Sequence, residues 1–471
     1  MFLRVSAYAL VVGALAAGPL LLAQPQPNPR DISKQYATLC ASCHGDNMQG
    51  NQAPSMLDET WVHGGDDASL AASIKNGHLA TGMPAFGGTL SDEDIRAMVI
   101  YIREVRTRAA VESAGYAKPA ADQVVKSEKH TFRLETVAEG VALPWGMAFL
   151  PDGRMLVTEK AGALRYVDGA TVSAPLTGVP AVWAKGQGGL LDVAPHPDYA
   201  NNGWIYLSYS EPGAEDSAMT VVVRGKLRDG SFVDQQTLFK APAELYRSGN
   251  VHFGSRFVFD NGYLFFSIGE RGQQKDAQDL SRPNGKIHRI HDDGRVPSDN
   301  PFVGRQDAMP TIWSYGHRNP QGLAKHPVTG ALYDAEHGPR GGDELNLVEK
   351  GKNYGWPVIT YGMNYNGTPM TDKTAMEGME QPVTYWVPSI AVSSINFYTG
   401  DKFPQWKNDL FVAALAQQEL RRLEIRDGKV THQEVLFKGV GRLRDMIVGP
   451  DGHIYIAFNN PDRIARLVPA S

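Results

Sequence analysis

Only two of the 471 residues are cysteine, Cys40 and Cys43. With no third thiol in the chain, neither can reach a distant partner, and no long-range disulfide is possible. Charge of one sign is not in excess either: 46 Lys+Arg face 51 Asp+Glu, a formal net charge of −5. That excludes the basic footprint of a nucleic-acid binder, so no nucleic acid is expected as a partner. Beyond residue 23 no apolar run is long enough to cross a bilayer. Bulk disorder is excluded by the 42% hydrophobic content against 21% charged residues. What the chain has in plenty is 49 glycines and 30 prolines without a collagen period, the composition of a chain that turns often between short strands.

The organisation falls into four parts. Residues 1–23 place Arg4 before an apolar stretch from Val5 to Ala23, a secretory signal pattern that predicts export to the periplasm; its retention as an anchor is the alternative, and the only one that brings in a membrane. Residues 31–108 read as a small all-α domain, with Ser91 and Asp94 forming a capping signal ahead of Ile95, Met98, Val99 and Ile102 at helical spacing. Residues 109–129, rich in Ala, Lys and Glu, read as a linker. Residues 130–471 carry an internal repeat of a turn followed by an apolar strand. Its turns are Asp152-Gly153, Asn202-Gly203, Asn261-Gly262, Thr329-Gly330, Asn408-Asp409 and Asp451-Gly452. Six unevenly spaced copies predict an all-β six-bladed propeller, with functional loops inserted between strands and gathered at one end of the axis.

Cys40-Ala41-Ser42-Cys43-His44 is a c-type haem attachment string: two thiols add to the porphyrin vinyl groups and the adjacent imidazole sits beneath the iron. A thioredoxin-like pair or half a zinc site fits less well, because there is no surrounding βαβ pattern and no second cysteine pair. Met83, in a Gly/Pro loop 39 residues after His44, is the candidate sixth ligand, whereas Met48 lies too close to His44 to cross to the opposite face. The arrangement resembles class I cytochromes c.

In the second domain the polar strings are Lys185 to Asp192, Val251 to Arg256, Gly316 to Gly322, Glu336 to Glu344 and Gly441 to Asp445. Arginines near an axis suit an anionic ligand with several carboxylates, and His252 is a candidate general base. These strings, with Lys352-Asn353-Tyr354-Gly355-Trp356-Pro357, resemble the soluble quinoprotein glucose and aldose sugar dehydrogenases, whose cofactor is pyrroloquinoline quinone (PQQ). The resemblance implies that His252 is the catalytic base, that Gln187 lies beside the substrate, and that Arg318 and Asn319 line the cofactor pocket. It further implies that Arg442 and Arg444 hold the PQQ carboxylates, that the carbonyls of Gly338 and Pro339 hold a calcium ion, and that Trp386 stacks on the cofactor. Where glucose dehydrogenase has a cofactor-binding lysine this chain has Ala416, and Glu344 is placed at a separate structural calcium site of some relatives. The implied activity is oxidation of an aldose, or a related alcohol, at the anomeric hydroxyl. Electrons would pass from reduced PQQ to the fused haem c and on to a periplasmic acceptor. The competing expectations are a propeller that only binds a ligand or partner, and a lactonase-like hydrolase.

Overall fold

The computed structural model describes residues 30–58, 60–114 and 123–470. The signal pattern of residues 1–23 lies outside them. Among the described residues no helix is long and apolar enough to cross a membrane.

The N-terminal domain is built from α1 (Ile32–Leu39), α2 (Ala41–His44), α3 (Asp67–Asn76) and α4 (Asp92–Ala114). Asp31 caps α1 by accepting from the Ser33 amide at 3.1 Å, and Asp66 caps α3 by accepting from Ser69 at 2.9 Å. The α4 cap is reciprocal, as its sequence predicts: the Asp94 amide donates to Ser91 Oγ and the Ser91 amide to Asp94 Oδ2, each at 3.2 Å. Ile95, Met98, Val99, Ile102 and Val105 then turn one buried stripe of α4 onto Ile32, Tyr36, Leu70 and Ile74. The helix runs to Ala114, further than the end at 108 that its composition suggested.

The rest of the chain folds into six antiparallel sheets. In each, the turn singled out in the sequence joins the innermost strand to the second. The innermost strands are Pro144–Phe149, Leu190–Pro195, Phe257–Asp260, Pro320–Lys325, Val392–Phe397 and Arg442–Val448. They touch one another in cyclic order and so close a ring. Five blades are consecutive in the chain. The sixth pairs Thr131–Glu139 with the C-terminal strand Arg463–Pro469, and Val124–Lys126 adds outside it. The propeller's first strand thus begins at Val124, six residues before the boundary read from composition.

One side chain stitches the ring at its axis. Arg256, 5% exposed, donates to Asp192 Oδ1 at 3.0 Å and lies 3.1 Å from Asp445 Oδ1. It also donates to the carbonyls of Gln321 (3.1 Å), Ser393 (3.2 Å) and Arg444 (3.3 Å), and its guanidinium carbon stands 4.4 Å from the centroid of the Trp145 ring. With Arg256 itself at the start of the third blade, each of the other five contributes at least one contact, the blade of Arg442–Val448 two. A buried guanidinium is tolerable here because its charge is matched by carboxylates and its donors are occupied.

Candidate active site

The loops that carry the expected site residues either precede an innermost strand or follow a second strand, so they emerge at the end of the ring opposite the six repeat turns. His252 sits in the loop before Phe257–Asp260, with φ 55°. Its Nδ1 bonds to Glu270 Oε1 on the loop after the next strand, and its backbone N–H donates to Gln187 Oε1 at 2.8 Å. Burial pushes the imidazole below its ordinary pKa and the nearby Arg318 charge adds to this, while Glu270 opposes both. The ring is therefore neutral near pH 7. Because Nδ1 bears the proton shared with Glu270, Nε2 is left with a lone pair facing the pocket, which is the arrangement of a general base. Gly269 has to be glycine: a Cβ there would stand 2.5 Å from the His252 carbonyl oxygen and 2.6 Å from Asn319 Oδ1.

Arg271 secures this loop from behind. It bonds to the carbonyl of Val251 and donates to those of Gly249 (2.8 Å), Arg247 (3.3 Å) and Ala218 (3.4 Å), with its guanidinium carbon 3.4 Å from the Phe253 ring centroid. Burial pulls its pKa down to about 9 against the opposing pull of Glu270. Neither Glu270 nor Arg271 was singled out by sequence, although Ile268-Gly269-Glu270-Arg271-Gly272 is a charged pair in a glycine-flanked loop directly after an apolar strand.

Arg318 and Asn319 are anchored by the Glu336 carboxylate, whose Oε2 accepts from their amides at 2.5 and 3.2 Å. Nη1 of Arg318 donates to the carbonyls of His337 (3.1 Å) and Gly338 (2.8 Å). Asn319 Oδ1 accepts from the Gly254 amide at 3.2 Å. Two buried donors have no partner: Arg318 Nε and Asn319 Nδ2. The half-buried His337 ring, pushed down to about 3 by desolvation and then by Arg318, Arg444 and His252, lies within electrostatic reach of all three.

On the far side of the mouth, Arg442 and Arg444 are both half-buried. Among the described residues neither has a carboxylate within ion-pair distance, and Arg444 has only Gln321 Oε1 at 2.8 Å. Burial, then the charges of Arg256 and Arg442, pulls the Arg444 pKa down to about 9. Lys160, which sequence reasoning missed, is a third cation here; its pKa is lowered by burial and by Arg444. Unmatched half-buried guanidiniums beside orphaned donors are the complement of a flat polycarboxylate, so the residues fit PQQ. Of the two carbonyls expected to face calcium, that of Gly338 is taken by Arg318, while that of Pro339 accepts no hydrogen bond among the described residues. Ala416 is exposed at this mouth, with its amide on the Ile390 carbonyl at 3.0 Å.

Trp386 departs from its expected place. It lies in the outer strand Thr384–Trp386 of the fourth blade, 5% exposed in the core shared with the fifth blade, and its Nε1 donates to Gln433 at 3.1 Å. Apolar packing on both sides holds it away from the pocket. The aromatics beside Arg318 are Trp356, whose ring centroid is 5.2 Å from its guanidinium carbon and whose indole N–H has no partner among the described residues, and Tyr365, whose hydroxyl lies 3.5 Å from Nη2.

Behind Arg318 lies a buried acidic cluster. Ligand atoms of His317, Asp334 and Glu336 fall within 4.8 Å of one another, both Asp334 oxygens lack hydrogen-bond partners, and Glu344 pairs across the strands with Glu336. Burial, then the neighbouring carboxylates, pushes Asp334 and Glu344 well above their usual range.

In the helical domain the expected attachment residues lie at α2, Cys40 as its N-terminal cap and Cys43 and His44 within it. The amides of Cys43 and His44 both donate to the Cys40 carbonyl, at 3.1 and 3.0 Å, and both thiols are free. Burial pushes the Cys40 thiol up to about 11. His44 Nδ1 lies 3.4 Å from the Pro54 carbonyl, which leaves Nε2 for a metal. Met83 is held by paired backbone bonds with His78 at 2.8 and 3.2 Å and packs, like Cys40, at the edge of the domain core, whereas Met48 is wholly inside it. Free thiols, an unoccupied imidazole nitrogen and a pinned thioether fit a covalently attached haem.

Residues 141–466 match the glucose/sorbosone dehydrogenase family, and residues 27–102 match the cytochrome c oxidase, cbb3-type, subunit III family. The aldose sugar dehydrogenase YliI of Escherichia coli (strain K12) is 47% identical over 334 residues, 69% of this chain and 90% of that protein. The apo crystal structure of the soluble aldose sugar dehydrogenase of Escherichia coli superposes with a TM-score of 0.68 at 44% identity, covering 72% of this chain and 100% of the other. The PQQ-bound aldose sugar dehydrogenase of Streptomyces coelicolor gives 0.60 at 28% identity, covering 74% and 99%.

Proposed function

The chain belongs to the glucose/sorbosone dehydrogenase family and carries a cytochrome c domain at its N-terminus, and from that premise we propose that it is an exported, PQQ-dependent aldose dehydrogenase with its own haem acceptor. The observation that carries the reading is the pairing, at one mouth of the ring, of a neutral His252 with guanidiniums that have no carboxylate of their own.

His252 Nε2 takes the proton from the anomeric hydroxyl, and Glu270 stabilises the imidazolium that forms. Gln187 fixes the backbone of the base and leaves its amide N–H groups for the sugar. Arg442 and Arg444 bind the cofactor carboxylates, with Lys160 adding positive charge where Ala416 supplies none. Asn319 Nδ2 and Arg318 Nε offer donors to the cofactor's polar edge. Bound PQQ would supply the two-electron acceptor for the anomeric C–H bond, and a calcium ion held at the open Pro339 carbonyl, with that of Gly338 available only if Arg318 releases it, would supply Lewis acidity. Cys40, Cys43, His44 and Met83 hold the haem, which supplies a one-electron relay. The acidic cluster of Glu344, Glu336, Asp334 and His317 supplies oxygen and nitrogen donors for a structural calcium ion.

A hydrolytic reading would need carboxylate ligands free at the axis, and the axial carboxylates Asp192 and Asp445 are both engaged by Arg256. The test is reconstitution of the apoprotein with PQQ and calcium, followed by a panel of sugars and alcohols monitored at the haem absorption band. Reduction that requires PQQ, calcium and an aldose together is expected; no reduction with any sugar or alcohol overturns the reading in favour of a binding module.

A further inference from the structure

The helical domain does not hang free of the propeller. Arg96, Ile100 and Glu104 recur every four residues on α4, one above another on a single face, and that face meets the propeller loop that follows Pro339. Arg340 grips the Glu104 carboxylate with two nitrogens, Nε at 2.9 and 3.1 Å from its two oxygens and Nη2 at 2.8 Å from Oε2. Both partners are largely buried, 27% and 13% exposed. Arg96 donates to the Tyr361 carbonyl at 3.4 Å and covers the Tyr361 ring, which is itself stacked on Tyr385 with centroids 3.7 Å apart. Met363 pairs with Arg340 through both backbone bonds, at 3.0 and 3.1 Å. It is 1% exposed and belongs to the hydrophobic core of the helical domain rather than to any blade. At the start of α1 the Ile32 amide donates to the Gly367 carbonyl at 3.1 Å. One propeller segment, 338–367, therefore carries both the cofactor-facing carbonyls and the side chain that completes the core of the haem domain.

We infer that the haem domain is docked on the propeller in one fixed orientation, with Arg340, Met363 and Tyr361 of the propeller and Glu104 and Arg96 of α4 as positioning residues, so that the haem is reduced within the chain without a domain encounter. The inference rests on the function proposed above and specifies its second half. Oxidation of one aldose releases two electrons and two protons; each electron converts one ferric haem to ferrous, and the haem is reoxidised by an external one-electron acceptor between the two transfers. A bidentate guanidinium–carboxylate pair fixes orientation as well as distance, and a side chain buried in the neighbouring domain's core excludes the water that a loosely tethered contact would retain.

The test uses the full haem-containing chain with Glu104→Arg, Arg340→Glu, the double exchange and Met363→Asp. Without PQQ, hydrogen exchange at the amides of Ile32, Arg340 and Met363 is slow in the wild type, accelerates in the single variants and recovers in the double exchange. With PQQ, calcium and the best aldose of the substrate panel, stopped-flow haem reduction slows at least tenfold in Glu104→Arg and in Met363→Asp and recovers in the double exchange, while reduction of a small redox dye added directly stays within twofold of wild type. Rapid wild-type exchange at those amides overturns the inference, and so does unchanged haem reduction in variants whose exchange shows the contact open. A wild-type chain that reduces neither dye nor haem with any sugar or alcohol of the panel sinks the enzymatic reading instead, and the exchange measurement still decides the docking.

Discussion

Arg256 and Arg444 lie a few ångströms apart near the same axis, one donating to the other's carbonyl at 3.3 Å, yet their surroundings differ. Arg256 at the floor is ringed by Asp192, Asp445 and three carbonyls. Arg444 at the mouth has an amide oxygen and the like charges of Arg256, Arg442 and Lys160 for company, with Asp445 as the one opposing charge and no carboxylate within ion-pair distance among the described residues. At the floor one guanidinium faces two carboxylates and ties the blades together; at the mouth the protein supplies no carboxylate partner, and in the proposed function the cofactor would supply it. Charge balance, rather than residue type or burial, separates a structural cation from a binding one.

The largest break in that contrast is expected at the floor. Arg256→Met leaves Asp192 and Asp445 buried without a counterion and should cost about 3–5 kcal/mol of stability, read as a lower denaturation midpoint. Next comes the base: His252→Ala should lower sugar-dependent haem reduction by roughly 10²–10⁴-fold while PQQ affinity stays nearly unchanged, and unchanged turnover would remove His252 from its role. Arg444→Met is the mirror image of the floor variant. It should weaken PQQ binding by on the order of 10–100-fold, as expected for losing hydrogen bonds to a charged group, without lowering the stability of the apo chain; a destabilised apo chain would mean that the mouth is structural after all. The smallest effect is a displacement in pH. Activity needs His252 neutral, so its acid limb lies below the ordinary histidine value, and turnover falls as pH drops through it. Glu270 raises the His252 pKa, so Glu270→Gln should move that limb to still lower pH with reduced maximal turnover; an acid limb that moves upward would refute the pairing.

Much of the molecule was legible before its structure. Turns such as Asp152-Gly153 and Asp451-Gly452 mark the same hairpin in every blade because a tight turn leaves its signature in a few adjacent residues. The Ser91–Asp94 cap is equally local, and so is the haem string. The propeller pocket is not local. Glu270 is 18 residues from His252 and reaches it only through a blade hairpin, and no string could show that Arg256 is matched while Arg444 is not, since the matching carboxylates stand at 192 and 445. Resemblance supplied those roles where periodicity was silent. Trp386 shows the limit of that route: an aromatic near the right place in a strand faces the pocket or the core according to register, and a shift of one residue reverses it. The helix boundary was missed because residues 109–114 continue α4 with good helix formers but no apolar periodicity to announce them.

The ring is sealed by strands that lie far apart in the sequence. Thr131–Glu139 has nothing to pair with on its inner side until Arg463–Pro469 is in place, whereas α1 to α4 are complete more than three hundred residues earlier in the chain. The helical domain can therefore form while the ring is still open. A chain cut before Arg463 should keep α1 to α4 folded and leave the sixth blade without its closing pair.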